Sequence, residues 1–282
     1  MKGFTSYLAH RYIAGTERKD AVKVCRKLNK LGLSATIDVL GEGVTDKEQA
    51  RAAVAEYLSL LEDIQSTGID ASISLKLTHL GLDISREVTE KNLSTILKKA
   101  QVLNNFVRFD MERSKYTEDT VNIFLKLHED FPRTGLAIQS ALVRSPEDID
   151  RLIKVGAPLR LVKGAYLEPP GIGFQEKKLV DINYINLMKK LLLAGHGTAI
   201  ATHDEVIINE ARAFARENNI SRENFEFQML LGIKRSLQVA LAEEGFKVRI
   251  YVPYGKDWMA YVLRRLKERK ENIYFVVRNL LD

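Results

Sequence analysis

Along the chain, short runs rich in apolar and β-branched residues alternate with longer segments whose apolar positions recur every three to four residues. The short runs are SATIDVL (34–40), ASISLKLT (71–78), NFVRFDME (105–112), GLAIQSAL (135–142), PLRLVKGAY (158–166), TAIATHD (198–204), FEFQML (225–230) and KVRIYVPYG (247–255). Each has the length and residue types of a strand. The segments between them read as helices: DKEQARAAVAEYLSLLEDIQST, TEDTVNIFLKLHED with Thr117 as its cap, SPEDIDRLIKV, KKLVDINYINLMKKLLLAG and DEVIINEARAFAREN. Gly or Pro marks several junctions, as in GLS, TGID and GAP.

Regular alternation of strand and helix predicts a parallel sheet with right-handed crossovers. Eight such units, without a shift of composition between halves, favour closure into an α/β (β/α)8 barrel. The competitor is an open doubly wound sheet, which usually places a Gly-rich phosphate loop after its first strand. LGEGVT (40–45) holds GEG but not that full fingerprint, and it reads equally as a plain turn. The expected organisation is an N-terminal helical arm over 1–33 and a barrel over 34–282. In such barrels the chemistry sits at the C-terminal ends of the strands.

Composition changes this picture little. The 282 residues are 45% hydrophobic and 28% charged, enough apolar material for a sizeable core. A single cysteine, Cys25, rules out an internal disulfide and suits a reducing, cytoplasmic setting. The first residues, MKGFTSYLAHRYIAGTE, lack the apolar stretch of a signal peptide, and no window is apolar enough to span a bilayer. The net charge of +6 is scattered over helices rather than gathered into a patch interleaved with aromatics. That argues against nucleic acid and leaves room for peripheral contact with the inner face of the cell membrane.

Polar residues at strand ends are the candidates for chemistry. The second strand ends in Lys76, which could serve as an anion anchor or a Schiff-base amine. In the third, Arg108 and Asp110 lie two apart and so share a face, as a structural ion pair or as part of a site. The fourth carries Gln139, the fifth Arg160 and Lys163, the sixth Thr202, His203 and Asp204, the seventh Glu226 and Gln228. Metal ligands are few, so a metal site is not expected, and no GxSxG elbow occurs. What remains is a cationic, amide-rich mouth suited to anionic ligands, which an aldolase-like barrel acting through Lys76 or Lys163 could also use. In the last helix, Tyr261, Arg264, Arg265 and Glu268 follow i, i+3, i+4, i+7 and line one stripe. Arg264 and Arg265 stand about 100° apart around the axis, where they could share one carboxylate or form a solvated basic face.

In the order and spacing of ATIDVLGE, RFDME, AIQSAL, RLVKGAYLEP, VDINYINLMKKLL, ATHD, FEFQMLLG and RIYVPYG followed by W, Y and RRLKER, the chain resembles the proline dehydrogenases. That resemblance implies a distorted (β/α)8 barrel whose last helix lies over the mouth. It further implies FAD at the strand C-termini and oxidation of L-proline to Δ1-pyrroline-5-carboxylate, with electrons passed to a quinone. By motif, Arg264 and Arg265 match the pair that binds the proline carboxylate, with Lys76 as a further cation. Tyr251, Tyr261 and Leu231 match the pocket wall, Asp110 an active-site aspartate, and Arg160 an arginine near the flavin N5 edge. Met111, Gln139, Val162, Lys163, Gly164, Ala165, Thr202, His203, Glu226 and Gln228 match segments that cradle FAD. Tyr261 also matches the tyrosine that favours proline over hydroxyproline. The arm before the first strand is shorter than the family usually carries, and the sequence leaves open whether the chain forms a homo-oligomer. A barrel that binds FAD or an anion without turnover is the non-enzymatic alternative.

Overall fold

In the computed structural model, which describes residues 11–259 and Tyr261, eight parallel strands close into a barrel with β8 beside β1. They are β1 (Ser34–Val39), β2 (Ala71–Leu75), β3 (Val107–Phe109), β4 (Thr134–Gln139), β5 (Leu159–Val162), β6 (Thr198–Ala201), β7 (Phe225–Leu230) and β8 (Lys247–Tyr254). The helices are α1 (Arg18–Asn29), α2 (Lys47–Thr67), α3 (Arg86–Val102), α4 (Thr117–His128), α5 (Ser145–Ile153), α6 (Lys177–Ala194), α7 (Glu205–Glu217) and α8 (Arg235–Glu243). The expected (β/α)8 architecture is therefore present.

The strands alternate, and the two faces of the barrel differ in kind. Ile37, Ile73, Phe109, Ile138, Leu161, Ile200, Phe227 and Ile250 are buried in one core with the helices. The other face points inward and is polar. Arg160 on β5 donates to Ser74 on β2 at 3.0 Å and to Gln228 on β7 at 2.6 Å, and bonds between non-neighbouring strands must cross the interior. The apolar core is thus a shell between barrel and helices. On α2, Tyr57, Leu60, Leu61 and Ile64 supply it at i, i+3, i+4 and i+7, each contributing about 1.5–3 kcal/mol by burial. From α1, Ala21, Val22, Cys25 and Leu28 join the same cluster.

Local signals fix the element ends. Asp46 caps α2 by accepting from the Glu48 and Gln49 amides at 3.0 Å, and Gly68 ends it in the left-handed conformation, φ 62°. Thr117 does not cap α4 as the sequence suggests. A 3-10 turn over Ser114–Tyr116 precedes the helix, Thr117 is its first residue, and the Thr117 hydroxyl is buried without a partner among the described residues. Ladder pairing also stops short of several apolar runs: β2 ends at Leu75 and β3 at Phe109, although Lys76 to Leu80 and Asp110 to Glu112 stay buried. These buried extensions bend over the barrel end and form the mouth.

Candidate active site

Strand parity brings one charged group after another to the C-terminal mouth. Asp38 on β1 is fully buried, and both of its carboxylate oxygens accept from Lys76 Nζ at 2.8 Å. Asp110, just past β3, accepts from Arg160 Nη1 at 2.6 Å through one oxygen and from the Tyr251 hydroxyl at 2.7 Å through the other. Lys76 stands 4.0 Å from that second oxygen. Two cations and two carboxylates therefore interlock, with the Arg160 guanidinium 5.5 Å from the centre of the Tyr251 ring. Burial works against the Lys76 charge, but Asp38 and then Asp110 outweigh it and hold its pKa above the ordinary value. Lys76 is consequently an ammonium, not a free amine.

Around the arc from β3 to β6 lies a second group. Gln139, the last residue of β4, donates to the carbonyls of Met111 at 3.2 Å and Glu112 at 2.8 Å, so its amide orientation is set. Its Oε1 is buried and has no partner among the described residues. Gly164 follows β5 at φ +117°, and a Cβ there would meet Gln139 Oε1 at 3.0 Å and the Ala141 methyl at 3.1 Å. Glycine thus keeps the space beside the orphaned acceptor open. Lys163 reaches Asp181 at 2.5 Å and Asp204 at 2.9 Å. Asp204 does two things at once, since its other oxygen caps α7 through the Val206 amide at 3.1 Å. His203 Nε2 accepts from the Leu230 amide at 2.9 Å, and the Thr202 hydroxyl from the Asp204 amide at 3.1 Å.

The remaining expected residues divide. Tyr261 is buried with Leu40, Tyr12, Ile13 and Ile233, against Leu230, Tyr251 and Trp258, which brings the start of the last helix to the ends of β1, β7 and β8. Leu231 follows β7, its amide donating to the Tyr251 carbonyl at 3.1 Å. Val162 and Ala165 flank Lys163 and Gly164 at the end of β5. Gln228 accepts from Arg160 Nε at 2.6 Å and donates to Glu226, and like Arg160 it lines the cavity at the N-terminal end of the barrel. Glu226 itself is not brought to the mouth: as the second residue of β7 it sits at the N-terminal end of the barrel, bound to Arg249 at 3.0 Å. Arg108 shares a face with Asp110, as its spacing required, but it too lies at that far end and forms no salt bridge among the described residues. Arg264 and Arg265 lie outside the described residues.

Asp38, Ser74 and Glu112 were missed by the sequence reading. Asp38 carried a signal, for it interrupts SATIDVL as Asp110 interrupts VRFDME, at an inward position. Glu112 gave none beyond its charge. It is 3% exposed and accepts from the Thr78 amide at 3.0 Å and hydroxyl at 2.5 Å, pinning together the segments after β2 and β3.

Fold and site define a (β/α)8-barrel enzyme scaffold whose C-terminal mouth gathers cations, buried carboxylates and an oriented amide. Comparison with known proteins narrows this. The proline dehydrogenase family model matches residues 21–278. Proline dehydrogenase 1 of Bacillus subtilis is 40% identical over 273 residues, covering 97% of this chain and 90% of its own length. Proline dehydrogenase of Deinococcus radiodurans is 36% identical over 279 residues, with 97% and 90% covered. The crystal structure of proline utilization A (PutA) from Bdellovibrio bacteriovorus inactivated by N-propargylglycine superposes with a TM-score of 0.89 at 25% identity. That match covers 95% of this chain and 33% of the larger one, so the chain spans about a third of it. The chain belongs to the proline dehydrogenase family.

Proposed function

We propose that the protein is an FAD-dependent oxidoreductase that converts L-proline to Δ1-pyrroline-5-carboxylate. The carrying observation is the Asp110 node, where one buried carboxylate fixes both Arg160 and Tyr251 beside the Lys76 ammonium. A small zwitterion needs its carboxylate neutralised and its ring held in one orientation. Lys76 supplies cationic field at the mouth, and Arg264 and Arg265 are assigned to the carboxylate on the sequence argument. Tyr251, Tyr261 and Leu231 cover the ring and exclude water.

The residues present fit the flavin. The unpartnered Gln139 Oε1 suits an N–H donor on a planar heterocycle, and Gly164 leaves room beside it. Met111, Val162, Lys163, Ala165, Thr202 and His203 would complete that cradle, with Lys163 fixed in place by Asp181 and Asp204. Arg160 and Gln228 would lie beneath it, and Glu226, at the far end, would support Gln228 rather than touch the cofactor. When bound, FAD would accept the hydride and pass its electrons to a quinone. The chain would act as a cytoplasmic enzyme, with peripheral membrane contact as a site of quinone access; no helix among the described residues is long and apolar enough to cross a membrane.

A Schiff-base mechanism at Lys76 is disfavoured, because such a lysine needs a lowered pKa and Lys76 has a raised one. Lys163 is likewise engaged by two carboxylates. The test is the visible spectrum of the purified protein followed by anaerobic addition of L-proline. Yellow protein bleached by proline is expected. Protein that takes up no FAD sinks the reading, and yellow protein that proline leaves unbleached points to a barrel that binds without turnover.

A further inference from the structure

The barrel has a second polar cavity at its other end. It encloses about 350 Å³ among the N-terminal ends of the strands, away from the mouth where Lys76 and Asp110 lie. Its wall carries Arg108, Arg133, Arg160, Lys247 and Arg249 against Glu223 and Glu226, with Arg160 held by Asp110 from the mouth side. Both carboxylates are committed. Glu226 accepts from Arg249 Nε with both oxygens, at 3.0 and 3.1 Å, and Glu223 holds Lys247 at 2.6 Å.

Two cations are left over. Arg133 is exposed, and its side chain makes no hydrogen bond or ion pair among the described residues. Arg108 is only 4% exposed, yet among the described residues its side chain bonds only from Nη1 to the Pro158 carbonyl at 2.7 Å, and its Nε has no partner there. Gly135 makes room for this guanidinium, since a Cβ there would stand 2.4 Å from Nη1. Burial first, and then the charge of Arg160, push the Arg108 pKa down to about 9. Arginine keeps its proton in proteins, so that direction expresses the cost of a buried charge that the Phe106 ring, 4.8 Å away, and the more distant Glu226 offset only in part. An anion would offset the cost, and a guanidinium fork matches the spaced oxygens of an oxyanion.

We propose that this floor cavity binds a small oxyanion, phosphate or a compact dicarboxylate, held by Arg108 and Arg133 with Lys247 at its rim. The site opens opposite the substrate mouth, shares Arg160 and Gln228 as the partition between them, and is argued without the flavin reading.

The test titrates inorganic phosphate, and separately malonate, into the full chain as purified at an ionic strength fixed with sodium chloride, read by calorimetry and thermal shift. Saturable binding by either is expected, and the tighter of the two assigns the source. Arg133→Gln should weaken that binding about fivefold, and Arg133→Gln with Lys247→Gln more, both being exposed positions that leave the fold intact. Phosphate and malonate that do no more than chloride overturn the proposal. So does saturable binding that both variants leave unchanged, or that L-proline competes away, because the anion would then sit elsewhere.

Discussion

Asp38→Asn removes the charge that Lys76 depends on while keeping its shape. Asp38 is fully buried, and both oxygens lie 2.8 Å from Lys76 Nζ. Removing one partner of a buried pair costs about 3–5 kcal/mol, because the other charge stays behind. Asp110, 4.0 Å away, retains part of the compensation, which puts the cost near the lower end, about 3 kcal/mol. In a chain of this length each kcal/mol moves Tm by about 2–4 °C, so the variant should melt about 6–12 °C lower. Circular dichroism during heating and urea unfolding reads both quantities. The companion Asp38→Leu with Lys76→Met should recover most of the loss, since an apolar pair of similar volume is close to neutral there. A double-mutant cycle should then give a coupling of at least about 2 kcal/mol. A Tm loss under about 2 °C in Asp38→Asn, or a double variant no more stable than it, would refute the view that interior carboxylates hold the interior cations.

Three further outcomes are expected. Arg264→Met or Arg265→Met should raise the proline KM about tenfold or more while FAD stays bound, which steady-state kinetics and the flavin spectrum check together. Gln139→Leu should weaken FAD retention about tenfold in equilibrium dialysis, since it removes the oriented acceptor and leaves the Met111 and Glu112 carbonyls short of a donor; unchanged retention would contradict the cradle. His79 gives a pH dependence: burial first, then the Lys76 charge, lower its pKa from 6.5 to about 4. The unfolded chain takes up this proton below pH 6.5 and the folded chain only near pH 4, so stability falls by about 3 kcal/mol as pH drops through that window. His79→Leu should flatten that part of the urea-midpoint profile between pH 6.5 and 4.

Much of this was legible in the sequence, and the reasons are physical. Helix periodicity located Lys47–Thr67 to within a residue, because Asp46 and Gly68 mark its ends with side-chain and backbone preferences that act locally. Strand lengths were overread at β2 and β3, because a buried loop has the same apolar composition as a buried strand. Parity correctly put Arg108 and Asp110 on one face, but it cannot tell height along a barrel axis. Arg108 therefore went to the floor and Asp110 to the mouth. Glu226 and Gln228 show the same limit, for both line the floor cavity and are bonded to each other. Thr117 shows the complementary error, a sound capping residue displaced by a 3-10 turn that tertiary packing imposes.

The polar lining of the barrel also bears on how stability responds to temperature. Exposing apolar surface on unfolding raises the heat capacity, whereas exposing polar surface lowers it. Here the strands put Ser74, Arg108, Arg160, Gln228 and Arg249 where a barrel filled with aliphatic side chains would put carbon. The heat-capacity increment per residue should accordingly fall below the usual globular value of about 12–15 cal/mol/K. A smaller increment flattens the stability curve and moves cold denaturation further from the working range. A lining chosen for ligand chemistry would thereby also widen the span of temperatures over which the barrel stays closed.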